Sequence, residues 1–201
     1  MLKDLTICVL ASLNLLIFSF IGLNGEAFAK MMTYEKSSHE TMISFEESVS
    51  RIQEHLASRK EMNELEPITY NLQPKTYLLI PSLNIISPIQ DVGREEAFGN
   101  ALQQGVVRWN NILFGHSSDY PWNSNPYGTI FTLLPKIKKG DHITLLRGKE
   151  KLQYLVTDTA ITDPQLKGLV SKISDKNKLI LSTCYPIGFS SQRFNVVATP
   201  L

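Results

Sequence analysis

Leu179-Ile180-Leu181-Ser182-Thr183-Cys184-Tyr185-Pro186, followed by Gln192-Arg193-Phe194-Asn195-Val196-Val197-Ala198, is the stretch on which the reading of this chain turns. An apolar run stops at a cysteine, and nine residues later an arginine opens a second run with alternating side chains. The two runs predict two strands. Pro186, Gly188 and Ser190-Ser191 between them are turn formers, so the strands are expected to come back together. A thiol then ends one strand and a guanidinium begins its neighbour. Ile112-Leu113-Phe114-Gly115-His116-Ser117-Ser118 ends another apolar run, this time at a histidine.

Outward from these stretches, the bulk properties narrow the class. A chain of 201 residues holds one domain plus extensions. Hydrophobic content of 43% is that of a globular protein, and a net charge of +1 gives no clustered basic surface for phosphate, so no nucleic-acid partner is expected. Residues 5–23 carry no charge and are interrupted only by Thr6, Ser12, Asn14, Ser19 and Gly22. That length is close to the roughly 20 residues a bilayer-spanning helix needs, which predicts a signal anchor over residues 1–29. The alternative is a cleaved signal peptide, because Ala27-Phe28-Ala29 fits the small-x-small cleavage pattern. Both place the remainder outside the cytoplasm, with the membrane as a partner. The two cysteines are Cys8, inside the apolar run, and Cys184. Cys184 therefore lacks a disulfide partner in an oxidising compartment, which points to a reactive thiol or an intermolecular bond.

Residues 30–73 read as a helical stalk or linker. Met42, Phe45, Val49, Ile52 and Leu56 repeat at spacings of three and four, an apolar stripe that either packs on the following domain or spans the gap to the membrane. Pro67 and Pro74 end it. His39 and His55 belong to its solvated face. From residue 74 to 201 the pattern changes to short apolar runs. Tyr77-Leu78-Leu79-Ile80-Pro81 and Ile85-Ile86-Ser87-Pro88-Ile89 read as strands with proline at their ends. A short helix is expected over residues 95–104, closed by Gly105, and helical turns over 129–137. Further strands are expected at 112–114, 142–146 and 152–159, the last two joined by a hairpin turn at Arg147-Gly148-Lys149-Glu150. Seven or eight short strands with turn punctuation predict an all-β barrel or sandwich.

The chemistry that these residue types support is acyl transfer. Cysteine is a nucleophile as its thiolate. An imidazole can take the thiol proton and later protonate a leaving amine. The intermediate oxyanion needs donors, and a permanently charged guanidinium supplies several. Cys184, His116 and Arg193 are the candidate catalytic residues. A zinc site from His116, His142 and Cys184 lacks the paired spacing of such sites, so no metal or other cofactor is expected.

The same residues carry a resemblance. Ile180-Leu181-Ser182-Thr183-Cys184 with Arg193 downstream resembles the T-L-x-T-C signature of sortases, the exported cysteine transpeptidases of bacteria, with Ile180 in place of the first threonine. Gly115-His116, Ile80-Pro81-Ser82-Leu83-Asn84-Ile85, Ala101-Leu102-Gln103-Gln104-Gly105-Val106 and Gly140-Asp141 extend it in order, over about residues 75–201. The resemblance implies a closed eight-stranded sortase-type β-barrel with short helices, preceded by a transmembrane helix and a helical stalk. It implies that Cys184 attacks the threonine carbonyl of a Leu-Pro-x-Thr-Gly-like sorting signal on surface proteins. His116 would protonate the leaving amine, and Arg193 would hold the substrate backbone and the oxyanion. A cell-wall precursor or a pilin lysine would supply the accepting amine. Ser182 and Thr183, with Tyr185, Trp122 and Tyr127 from adjoining loops, are the candidate substrate-binding residues, and residues 161–177 the loop expected to read the signal. Two rival readings are a cysteine endopeptidase using the same residues and a catalytically idle envelope barrel that binds peptides.

Overall fold

The computed structural model describes residues 2–34, 45–47, 49–54, 76–92, 97–123, 125–165, 175 and 177–201. Among the described residues eight strands follow one another: β1 (Thr76–Ile80), β2 (Ile85–Asp91), β3 (Val106–Trp109), β4 (Ile112–Phe114), β5 (His142–Arg147), β6 (Glu150–Thr162), β7 (Leu179–Tyr185) and β8 (Gln192–Pro200). They close into a barrel in the order β1-β2-β3-β4-β7-β8-β6-β5. Closure leaves no open edge, which is how short apolar strands avoid pairing with other chains. Two neighbouring pairs, β2–β3 and β4–β7, are parallel, and the other six are antiparallel.

Alternation along the strands sorts residues to two faces. Leu78, Ile80, Ile85, Leu113, Ile143, Leu145, Leu181 and Val196 fill the interior together with Phe131 and Leu134 from the β4–β5 connection. On the outside, Ile112, Ile180 and Val197 form a second buried cluster with Phe114 and Ala160. β7 is thus apolar on both faces, which is why it reads as a continuous run rather than an alternating one. A bulge between Val156 and Asp158 lets the long β6 serve both β5 and β8.

The strands expected from the sequence are present. Pro88 does not end its strand, however: it lies inside β2, opposite Tyr77 of β1. β2 begins its ladder with β3 only at Ile89, and Ser87 Oγ takes the Val106 N–H at 3.1 Å, so the missing proline N–H falls where that ladder starts. The expected helix before Gly105 is α3, Phe98–Leu102, shorter than the predicted span; residues 93–96 lie outside the described set. Among the stalk stripe, Phe45 is buried against Leu79 and Leu146, with Val49 and Ile52 beside it, so this stretch packs on the barrel's outer face. Met42, Leu56, His39 and His55 lie outside the described residues. Two segments that carried the resemblance meet in space, where Ser82 Oγ donates to Asp141 Oδ2 at 2.8 Å.

At the N-terminus α1 covers Leu2–Leu23 and α2 covers Gly25–Tyr34. Among the described residues no single helix is long and apolar enough to cross a membrane, although Val9–Leu23 and Gly25–Tyr34, bent by 77°, meet that test as a pair. α2 runs across the boundary expected between anchor and stalk and packs on the barrel. Ala27 is 1% exposed, and Met31 and Tyr34 lie against the interior core. Glu26 accepts from Thr129 Oγ1 at 2.8 Å, Lys30 Nζ donates to the Thr129 carbonyl at 3.0 Å, and Tyr34 OH donates to the Ser82 carbonyl at 3.0 Å.

Candidate active site

The pairing registers bring the sequence-selected residues to one end of the barrel. Cys184 on β7 stands directly opposite Arg193 on β8, and Arg193 stands opposite Thr162 on β6. On the other side of β7, Phe114 of β4 pairs with Ser182 in parallel. The pairing continues one step past β4: the Gly115 N–H donates to the Ser182 carbonyl at 3.2 Å, and Thr183 Oγ1 donates to the Gly115 carbonyl at 2.7 Å. The chain therefore delivers His116 beside the Cys184 end of β7. Because Ile112, Ile180 and Val197 face outward, period-two alternation puts Ser182 with Cys184, and Asn195 with Arg193, on that same outer face.

What fixes β4 against β7 is the two-residue β3–β4 turn. Asn110 there has φ 56°, a conformation asparagine tolerates. Asn111 donates through Nδ2 to the carbonyls of Asp175 and Lys178 at 3.2 and 3.0 Å, and its carbonyl accepts from the Ile180 N–H at 2.9 Å. This turn sets the start of β7 and hence where Cys184 falls relative to His116. At the far end of the pairing Gly115 gives the ring of Phe131 its space: a Cβ at 115 would lie 2.6 Å from that ring.

Cys184 is half-buried and a free thiol. The Arg193 guanidinium is tethered by Nη1 to the carbonyls of Ser190 and Gln192, both at 3.1 Å, which aims the group from its own turn. His116 Nε2 is buried and has no hydrogen-bond partner among the described residues. Burial pulls the imidazole below its ordinary range, and the Asp119 carboxylate opposes that shift. Burial alone would raise Asp119, but hydrogen bonds from Asn123, the Tyr120 N–H and Asn125, with attraction from His116, leave it below the usual carboxylate range. Among the described residues no group of three or more His, Cys, Asp or Glu is placed to hold a metal ion.

The candidate substrate-binding residues divide by face. Ser182 shares the Cys184 face. Thr183 points the other way, is 2% exposed, and ties β7 to the His116 loop through the hydroxyl bond above. Tyr185 packs near Phe194, ring centroids 6.0 Å apart. Tyr127 lies against the interior core. Trp122 is 68% exposed and stacks on Tyr120 at 4.9 Å and 6°. Of residues 161–177, those at 166–174 and 176 lie outside the described set. Sequence reasoning passed over Asp119, whose signal is a carboxylate three residues after a histidine, followed by Asn123, Asn125 and Gly128.

A family model described as the sortase domain matches residues 78–201, more than half of the chain. The chain belongs to the sortase family. Sortase D of Bacillus subtilis (strain 168) is 26% identical over 117 residues, 58% of this chain and 57% of that relative, so the match spans little more than half the relative's length. Among solved structures, sortase A from Corynebacterium diphtheriae superposes with a TM-score of 0.53 at 18% identity, covering 88% of this chain and 94% of the other. Sortase C1 from Streptococcus agalactiae gives 0.51 at 24% identity, over 67% and 70%. At these identities the likeness to the solved sortases is one of fold, and the closed eight-stranded mixed barrel is that sortase fold.

Proposed function

We propose that this sortase is a cysteine transpeptidase in which Cys184 is the nucleophile, His116 the acid–base and Arg193 the oxyanion donor. One observation carries the reading: Cys184 and Arg193 are direct partners across β7 and β8, while the run ending in His116 lies against the other side of β7. In the reaction the Cys184 S–H proton passes to His116, and the thiolate adds to the threonine carbonyl carbon of a Leu-Pro-x-Thr-Gly-like signal. Arg193 stabilises the oxyanion. The C–N bond then breaks as His116 returns its proton to the leaving amine, giving a thioester. An incoming amine, from a cell-wall precursor or a pilin lysine, adds to the thioester carbon and gives a proton to His116. The C–S bond breaks and the thiolate is regenerated.

The remaining organisation follows the same reading. Residues 1–29 anchor the chain in the cell membrane, residues 30–73 link, and residues 74–201 form the extracytoplasmic catalytic domain. Support for the anchor is the exposure of Leu13, Leu16, Ile17 and Phe18 on α1. The test is intact-mass spectrometry of the full chain with a sorting-signal peptide, with and without a free amine. An acyl adduct on Cys184 that is consumed as ligated peptide accumulates supports transpeptidation. Hydrolysed peptide with no ligated product makes the enzyme an endopeptidase. No adduct with a panel of signal peptides, on a chain whose thiol is intact and titratable, overturns the acyl-transfer role in favour of peptide binding.

A further inference from the structure

We propose that the Tyr120–Trp122 pair, at the tip of the loop that follows His116, is a lipid-binding surface that seats in the headgroup layer of the bilayer beside α1. The inference rests on the reading of residues 1–29 as a membrane anchor and adds to it a second membrane contact, next to the site. The tip is a closed turn. The Asn123 N–H donates to the Tyr120 carbonyl at 2.9 Å, and Asp119 Oδ1 accepts from the Tyr120 N–H at 2.8 Å and from Asn123 Nδ2 at 2.6 Å. Those bonds account for the backbone of the turn. They do not account for its two large aromatic side chains.

Tyr120 is 56% and Trp122 68% exposed. Their rings stack on each other at 4.9 Å, and neither belongs to the interior core of the barrel. A turn that served structure alone has no use for a paired aromatic surface left open to water. Tryptophan and tyrosine combine an apolar ring body with a polar N–H or O–H, the combination that favours the boundary between water and hydrocarbon. Because the turn is already fixed, docking it costs little conformational freedom.

Position identifies lipid as the occupant. Ser118, two residues before Tyr120, accepts through Oγ from the Gly188 N–H at 3.1 Å, which ties the loop to the β7–β8 turn. Phe189 of that turn, itself 55% exposed, stacks on Phe20 of α1 at 5.2 Å. Even fully extended, the four residues from Ser118 to Trp122 span at most about 14 Å, so the tip stays near the exit of α1. Leu13, Leu16, Ile17 and Phe18 are exposed on the helical turns that precede this exit. The open aromatic surface of the barrel thus adjoins the apolar surface of the anchor, a proximity that a peptide or a second copy of the chain would not need. Charge points the same way. Residues 186–192 carry none, and residues 117–123 carry only Asp119, whose Oδ2 also accepts, from Asn125 Nδ2 at 3.2 Å. With no lysine or arginine in either segment, the contact is one of aromatic rings with the interface and does not depend on anionic lipid. Seated there, the loop holds the His116 side of the site at the bilayer surface.

The test follows Trp122 fluorescence in the full chain reconstituted into vesicles. Trp109 and Trp122 are the two tryptophans, so Trp109→Phe leaves Trp122 as the sole emitter; if that variant does not fold, the difference between the parent and Trp122→Phe reads the same side chain. The vesicles are phosphatidylcholine with or without phosphatidylglycerol. The quencher is either a phosphatidylcholine brominated near the carbonyl end of its acyl chains or iodide in the water. The expected result is blue-shifted Trp122 emission that is lost to brominated lipid and little affected by iodide, equally with and without phosphatidylglycerol. Emission quenched by iodide and untouched by brominated lipid overturns the proposal. So does lipid quenching that requires phosphatidylglycerol, which would make the contact one of charge. Emission that ignores lipid but shifts when a sorting-signal peptide is added assigns the pair to the substrate and overturns it too. An alkaline wash of the same vesicles, made after the fluorescence is read, scores α1 separately. A chain stripped off by the wash loses the anchor reading, while lipid quenching recorded before it still supports contact at the tip.

Discussion

Arg193 reaches its place by two carbonyl tethers through one nitrogen, leaving the rest of its fork for a ligand. Lysine would keep the charge and lose the fork. Arg193→Lys is therefore expected to slow turnover by about 10²–10³, the usual cost of an oxyanion donor, while its melting curve stays near that of the parent; full activity would remove the guanidinium from the mechanism. Gly115 makes a different argument. A methyl there must push against the Phe131 ring, so Gly115→Ala should cost about 1–3 kcal/mol in urea unfolding and displace His116, lowering activity beyond what stability explains. His116 also leaves a signature on stability. Its folded-state titration lies below the ordinary 6.5, so between the two values the unfolded chain holds more protons, and stability is lost as pH falls through that interval. Asp119, also shifted down from its ordinary 3.8, contributes its loss only at lower pH. Urea midpoints between pH 7 and 5 should thus fall less in His116→Gln than in the parent. The placing of Cys184, His116 and Arg193 at strand ends was legible in the sequence because each ends or begins an apolar run. Asp119 was not, because a loop carboxylate shows its partners only once the turn through Gly128 has closed.

At the scale of elements, local pattern and long-range pairing part company. The strands were legible because turn residues punctuate them, and the β5–β6 hairpin because its two runs are adjacent in sequence. The parallel pairings β2–β3 and β4–β7 were not, since nothing local to Ile112 says that Ile180 will be its partner. Pro88 was assigned to a strand end on local grounds and turned out to be tolerated inside β2, because its neighbouring ladder starts one residue later. α2 is the largest such gap. Ala27-Phe28-Ala29 has the composition of a cleavage site, yet Ala27 is buried and the helix is held by three side-chain hydrogen bonds to Thr129 and Ser82. Bonds of this kind contribute about 0.5–1.5 kcal/mol each, more where a charged group takes part, and the apolar contacts of Met31 and Tyr34 add to them. Deleting residues 1–34 should therefore lower the melting temperature relative to deleting 1–24, by roughly 2–4 °C for each kcal/mol lost. Coincident melts for the two truncations would make α2 a passive linker.

For the whole molecule the question is which way the site faces. Phe20, near the end of α1, stacks on Phe189 of the β7–β8 turn with ring centroids 5.2 Å apart, and a Cβ on Gly188 would meet Phe20 and Asn24 at 2.8 and 2.9 Å. The exit of the apolar helix is therefore packed against the turn that joins the Cys184 strand to the Arg193 strand. β6 runs from Glu150 to Thr162, and Thr162 pairs with Arg193, so the β5–β6 turn around Lys149 lies at the opposite end of that long strand. If α1 sits in the bilayer, the site end of the barrel is held at the membrane surface and the β5–β6 turn points away from it. A substrate still attached to the membrane by a neighbouring segment would then meet Cys184 without leaving the interface. In a Cys8→Ser, Cys184→Ala background reconstituted into liposomes, a fluorophore placed through Phe189→Cys is expected to be quenched by lipids carrying a quencher on the acyl chain, while one placed through Lys149→Cys is expected to be quenched only by a water-soluble agent. Equal aqueous quenching at both positions, with α1 shown to be inserted, would separate the barrel from α1 and leave the Phe20–Phe189 contact without a role in orienting the barrel.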